Sequence, residues 1–341
     1  MQAVRIGNYW VGQGTCFIIA EIGSNHDVNL NQAKQLIDKA VEAGANAVKF
    51  QSFTAEKLTV TTDEDFKLLK SIEFPIDWYE DIAQYCFSKN VIFMSTPFDL
   101  EAVELLERVN VPIYKIASGD ITYFPLLKKV AKIGKPIILS TGKSNIQDVE
   151  KAVEYLKEFG CQSIVLLHCI AAYPTPESEA NLNAIAALKN KFKFPVGFSD
   201  HTLSIIIPSF AVCFGADVIE KHFTLNKKLP GPDHSFALNP KEFAEMVQLI
   251  RLVEKVKGNG EKVLSPTEQK RALTGRRGIF AAKNIARGTI LTEAMVACLR
   301  PQLKEANIPA SLFEKVVGSR LLKDINKDTP FTFEHVTIER F

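Results

Sequence analysis

Eight short apolar runs follow one another through the first two-thirds of this 341-residue chain, and each ends in side chains that can do chemistry. FIIAE ends at Glu21, AVKFQ carries Lys49 and Gln51, and VIFMST ends at Ser95 and Thr96. PIYKIAS carries Lys115 and Ser118, PIILST ends at Ser140 and Thr141, and SIVLLH ends at His168. PVGFSDH closes on Ser199, Asp200 and His201, and DVIEKH on Glu220, Lys221 and His222. Strands covered on both faces are apolar along their length. Polar residues at their C-terminal ends are what a (β/α)8 barrel uses to assemble one active site from many strands.

Helical spacing fills most of the gaps, at Asn31–Ala43 with Gly44 beyond, Leu100–Val109, Pro125–Ile133, Ile146–Phe159 and Pro240–Val256. Alternating strand and helix predicts an α/β fold, a TIM barrel over residues 1–258. Thr54–Phe74 is polar and reads as an active-site loop after the second strand. Residues 259–278 read as a linker. Residues 279–341 read as a small β domain made of two related halves. In it Lys283-Asn-Ile-x-x-Gly-Thr-x-Leu-Thr aligns with Lys323-Asp-Ile-x-x-Asp-Thr-x-Phe-Thr. A domain this small is near the lower limit for standing alone, so it is expected to lean on the barrel or on another subunit.

The net charge of +2 gives no global field for nucleic acid or anionic membrane, so an anionic ligand needs local lysines. No apolar stretch approaches a membrane span, and the N-terminus lacks a secretory pattern. The six cysteines form no CxxC pair and read as buried reduced thiols, which suits the cytoplasm.

His201 and His222 close the seventh and eighth strands and predict a divalent-metal site, with Glu21 and Asp233 as the nearest supporting carboxylates and a first-row ion such as Mn²⁺ as its occupant. The alternative is that each imidazole only bonds a neighbouring loop. Lys49, Thr96, Lys115, Ser118, Ser140 and Ser199 predict a phosphate or carboxylate cradle. Salt bridges from the lysines to Glu21 or Glu220 are the structural alternative, and a Schiff-base lysine the chemical one. His26 reads as a substrate contact or a helix cap, and His168 as a site or a core residue. Gly231–His234 is a turn.

Ten motifs in order resemble the sialic acid synthase family: AEIGSNH, VKFQ, STPFD, YKIASGD, GKPIILSTG, LHC..AYPTP, GFSDHT, EKHFT, LPGPDHSFAL and LRP. The last segment resembles its antifreeze-like (SAF, β-clip) module. The resemblance implies condensation of phosphoenolpyruvate with the open-chain form of N-acetylmannosamine, giving a nine-carbon 2-keto acid and phosphate. Legionaminic and pseudaminic acid synthases, working on a diacetamido 6-deoxy hexose, are the alternatives within the class. A Schiff-base pyruvate aldolase is the alternative outside it.

By similarity, His201 and His222 hold Mn²⁺ or another divalent cation, and Glu21 handles protons. The six cradle residues hold phosphoenolpyruvate, and Gln51, Tyr173, Asp233 and Arg300 contact the sugar. Arg300 is expected to reach a partner's barrel in a domain-swapped homodimer. Three features depart from the family: a shortened Thr54–Asp77 segment, Ala171 where some members carry Asn, and Arg276–Arg277 where some carry apolar residues.

Overall fold

The computed structural model describes residues 2–300 and 307–338. They divide into two compact units, Met1–Asn259 and Gly260–Phe341.

The first unit opens with a hairpin, β1 (Val4–Ile6) and β2 (Tyr9–Val11), which the sequence reading does not anticipate. Parallel strands then follow: β3 (Phe17–Gly23), β4 (Ala47–Ser52), β5 (Ile92–Pro97), β6 (Tyr114–Ile116), β7 (Ile137–Ser140), β8 (Ile164–Cys169), β9 (Val196–Asp200) and β10 (Val218–His222). Among the described residues these eight form one sheet in the order β5-β4-β3-β10-β9-β8-β7-β6. The end strands β5 and β6 lie side by side without a ladder, so the barrel is nearly closed.

Each crossover helix is set by local chemistry. Asn29 caps Leu30–Glu42, Asp99 caps Leu100–Arg108, and Asn145 and Asn239 close capping boxes on Ile146–Glu158 and Pro240–Val256. Gly134 ends Phe124–Ile133 at φ 80°, a left-handed position that glycine enters freely. Two stretches read as irregular carry short helices instead. Ala55–Leu58 and Phe66–Ser71 are tied together where Glu73 accepts from Ala55 N (2.7 Å) and Lys70 bridges Glu56 and Glu73. In the linker, a Ser265–Glu268 capping box starts Pro266–Gln269, and Ala272–Gly275 follows.

Side chains alternate along each strand between the helices and the barrel interior. The lower interior is apolar: Phe17, Ile19, Ala47, Met94, Ile113, Ile138, Val165, Leu167 and Val218 pack together there. The hairpin seals this end with Val4, Ile6 and Val11. Gly197 is the small member of the layer, since a Cβ there would come within 2.4 Å of Val218 O.

The second unit has its own core, including Ile279, Leu291, Ile308, Leu321, Ile325 and Phe331. Its internal repeat has a structural counterpart. Ile285 and Ile325 exchange backbone hydrogen bonds (2.9 and 3.0 Å). Asn284 accepts from Lys327 N (2.8 Å), and the equivalent Asp324 accepts from Arg287 N (2.6 Å). The halves therefore bind each other reciprocally. A regular ladder forms in the first half alone among the described residues, between β11 (Gly278–Ala281) and β12 (Val296–Leu299); the second half contributes isolated bridges.

Of the cysteines, Cys16, Cys86, Cys161 and Cys169 are buried and unpaired, as expected, but Cys213 is exposed and Cys298 half-buried. Cys213 sits near the end of the short helix Ile207–Cys213, past its buried face. Among the described residues no helix is long and apolar enough to cross a membrane.

Candidate active site

At the C-terminal rim the next inward position of every strand turns polar: Glu21, Lys49, Thr96, Lys115, Ser140, Cys169, Ser199 and Glu220, all buried. Gln51 lies one inward step further on β4, His222 the same on β10, and His201 just past β9. Helix-facing neighbours of the same runs, Asp200, Lys221 and His168, point away from the mouth.

The lysines do make the salt bridges that formed the structural alternative. Lys49 Nζ lies 2.7 Å from Glu21 Oε2 and 3.8 Å from Glu220 Oε2, and donates to Thr96 Oγ1 at 3.2 Å. Lys115 Nζ donates to Ser140 Oγ (2.7 Å) and lies 3.6 Å from Glu220 Oε1, which accepts from Ser199 Oγ at 2.9 Å. Gln51 Nε2 donates to Glu21 Oε1 (2.9 Å), and Ser118 Oγ accepts from Gly142 N (3.0 Å). Two lysines and two carboxyl side chains thus share one buried space.

Burial and charge act unequally on the four. Burial lifts Glu21 to about 7, against the pull of Lys49. Glu220 is also penalised by burial, but Lys115 and Lys49 together hold it below its ordinary range. For Lys49 burial is outweighed by Glu21 and Glu220, which raise its pKa. Lys115 goes the other way: burial dominates and lowers it despite Glu220. Of the two lysines, Lys115 is the less compensated by its surroundings.

His201 and His222 face each other beside this network, with ring centroids 5.4 Å apart. Tyr173 packs on His201 (4.2 Å) and Phe236 on His222 (4.9 Å). His201 Nδ1 bonds Ile170 O (2.8 Å), which fixes the proton there and leaves Nε2 with its lone pair. Among the described residues His222 Nδ1 is buried without a hydrogen-bond partner; Asp233 Oδ2 lies 3.7 Å from it. Burial keeps both imidazoles neutral, well so for His222. Two neutral, adjoining imidazoles, one with an orphaned nitrogen, fit a divalent cation. No group of three or more His, Cys, Asp or Glu converges in ligand spacing among the described residues, so water or substrate would complete the shell.

Asp233 accepts from Ser24 Oγ (3.4 Å) and is raised by burial. Behind it, His234 bonds Asp27 (3.0 Å) and Thr224 Oγ1 (2.6 Å), fastening the loops after β10 and β3 together. Arg300 follows β12 in the second unit and is exposed there; Pro301 of the LRP motif lies outside the described residues.

Two histidines are core residues. His26 sits among Phe50, Phe74 and Trp78, its Nδ1 accepting from Val28 N, and burial depresses it to about 4. His168 stacks on Phe198 and bonds Ala180 O. Glu220 and Cys169 are the residues that sequence reasoning undervalued. Glu220 entered as one of the polar strand ends and as a salt-bridge partner but was given no role in the site, and Cys169 entered only as a buried thiol, yet both occupy central inward positions.

A cavity of about 970 Å³ opens at the opposite rim beside Tyr9, Phe87 and Arg108, and none of this chemistry reaches it. Placement by polar convergence, not by volume, selects the C-terminal mouth.

A nearly closed parallel barrel with lysines, hydroxyls, carboxylates and paired imidazoles at its C-terminal rim defines an enzyme of the TIM-barrel type. Residues 36–262 match the NeuB family and residues 276–337 the SAF domain. The N,N'-diacetyllegionaminic acid synthase of Campylobacter jejuni is 41% identical over an alignment of 328 residues that covers 91% of this chain and 97% of that protein. An uncharacterised protein of Methanocaldococcus jannaschii is 48% identical over 302 residues, covering 88% of this chain and 90% of its own length. The solved N-acetylneuraminic acid (sialic acid) synthetase of Leptospira borgpetersenii superposes with a TM-score of 0.76 at 39% identity, over 80% of this chain and 95% of that one. The chain belongs to the NeuB family, and it is a synthase of the carbon–carbon bond-forming, phosphoenolpyruvate-dependent type that the sequence motifs imply.

Proposed function

We propose that this synthase condenses phosphoenolpyruvate with open-chain N-acetylmannosamine, releasing phosphate and N-acetylneuraminate. The observation that carries the reading is the single rim on which the Lys115–Ser140–Ser199 cluster and the His201–His222 pair lie together.

Phosphoenolpyruvate would sit against Lys49, Thr96, Lys115, Ser118, Ser140 and Ser199. Its negative charge answers the under-compensated Lys115 ammonium. Gln51, Tyr173 and Asp233 would hold the sugar, with Arg300 supplied from a partner subunit. A divalent cation, Mn²⁺ or another, held by His201 and His222 would supply Lewis-acid polarisation of the aldehyde. C3 of phosphoenolpyruvate bonds to the aldehyde carbon, whose oxygen takes up a proton and becomes a hydroxyl, and water adds at C2 with loss of a proton. The C–O bond to phosphate breaks as the ketone forms. Glu21, whose burial places it near neutrality, takes the proton from water. Tyr173 and Phe236 pack against the imidazoles.

A second reading applies the same chemistry to a diacetamido 6-deoxy hexose. The 41% identity to the legionaminic acid synthase favours it. One assay separates the readings: phosphate release from phosphoenolpyruvate with a panel of 2-acetamido sugars, with and without Mn²⁺. N-acetylmannosamine should be turned over best, and EDTA should stop turnover. Preference for the diacetamido sugar transfers the assignment to the second reading. Turnover that survives EDTA, with borohydride trapping a lysine adduct, would transfer it to an aldolase.

A further inference from the structure

Directly behind the paired imidazoles lies an ion pair that the proposed chemistry does not use. Lys221 Nζ and Asp200 Oδ2 are 2.6 Å apart, with side-chain exposures of 1% and 0%. Asp200 is the last residue of β9 and precedes His201; Lys221 precedes His222 at the end of β10. The two face each other across the ladder, and no further β9–β10 partner follows them among the described residues. His201 therefore lies beyond the reach of regular sheet bonding to its neighbour.

What replaces the ladder is Lys221. Besides Asp200, its ammonium donates to Thr202 O and to Ser204 O (3.3 Å). Asp200 in turn accepts from Thr202 N (2.9 Å) and Thr202 Oγ1 (3.2 Å). One cation on the His222 strand thus gathers acceptors on both sides of His201. Because side chains alternate, the clamp acts from the helix side while the imidazoles emerge inside.

A buried ion pair is poor value as a stability device, because desolvation of both charges offsets their attraction and an uncharged pair of similar shape often does as well. Its geometric effect is specific. We propose that Lys221 and Asp200 are positioning residues: they set the separation and orientation of the His201 and His222 rings for a shared divalent cation. This rests on the metal reading above.

The test strips metal from the enzyme and titrates it with Mn²⁺ alone, for the wild type, Lys221→Met and the near-isosteric double variant Lys221→Met/Asp200→Asn. Thermal melting is measured in parallel, and visible absorption is recorded after loading with Co²⁺. The single variant leaves Asp200 buried and unpaired and is expected to melt lower; the double variant removes both charges. The expected result is a double variant that melts close to wild type, binds Mn²⁺ about 10–100-fold more weakly, the range typical for lost outer-shell partners, and shows an altered Co²⁺ spectrum. Wild-type Mn²⁺ affinity and Co²⁺ spectrum in the double variant would overturn the proposal. So would failure of the double variant to fold, since the pair would then serve the fold. If the wild type itself binds no Mn²⁺, the metal reading falls instead, and the two failures are distinct.

Discussion

The two halves of the barrel interior are built by the same strands, one inward step apart, and have opposite contents. Ile19 is followed inward by Glu21, Ala47 by Lys49, Met94 by Thr96, Ile113 by Lys115, Ile138 by Ser140, Leu167 by Cys169, Gly197 by Ser199 and Val218 by Glu220. Below the step the interior is an apolar plug sealed by the β1–β2 hairpin. Above it, buried charges are held by one another. Apolar packing and buried charge are thus separated within two residues, about 7 Å along a strand. The lower layer is what lets the upper one carry desolvated charge in fixed places.

That division predicts that substitutions above the step remove turnover and spare the fold, and the reverse below it. The largest effect is expected from Glu21→Gln, a kcat loss of about 10²–10⁴-fold with the urea midpoint close to wild type. A loss under tenfold would place the proton work on another group. Wild-type kcat/KM also tests the assignment. Burial favours the neutral carboxyl, so Glu21 is protonated below about 7 and becomes a base above it. Turnover should fall as pH drops through about 7, and the residual activity of Glu21→Gln should lack that limb.

Below the step, Ile19→Ala removes a fully buried side chain and should cost roughly 2–5 kcal/mol in urea unfolding. The kcat of the folded fraction should stay unchanged; a large kcat loss would show that the layers are not separable. Gly197→Ala tests packing within the plug. Its added methyl would meet Val218 O and the Leu167 side chain, and about 1–3 kcal/mol of destabilisation is expected. Equal stability would mean that the layer has slack. The smallest effect belongs to the barrel's outer helical layer, where Asn145→Ala deletes the cap of Ile146–Glu158. Calorimetry should register about 1 kcal/mol with kinetics untouched.

Much of this was legible in the chain. All eight apolar runs are barrel strands, and every helical spacing named marks a helix to within a residue or two. The internal repeat, read from Lys283 and Lys323 onward, returns as the reciprocal Asn284–Lys327 and Asp324–Arg287 contacts. Less legible was the direction of each polar side chain. His168 and His201 both end an apolar run, yet one stacks on Phe198 and the other joins the mouth. In a strand covered on both faces, both sets of alternate positions are apolar, so no contrast marks the inner one. The hairpin escaped notice because its strands, Val4–Ile6 and Tyr9–Val11, are too short to show a period.

The sequence by itself determined the parallel α/β architecture, the family and the set of polar residues from which the site is drawn, because periodicity, caps and motifs are local properties of the chain. Only the tertiary structure decided that Lys49 and Lys115 converge on Glu220, that Lys221 turns outward to Asp200, and that His222 Nδ1 lies beside His201 without a hydrogen-bond partner among the described residues. Those relations join residues from 21 (Asp200–Lys221) to 171 (Lys49–Glu220) positions apart. They depend on how far the sheet has curved when it closes, which no local stretch encodes.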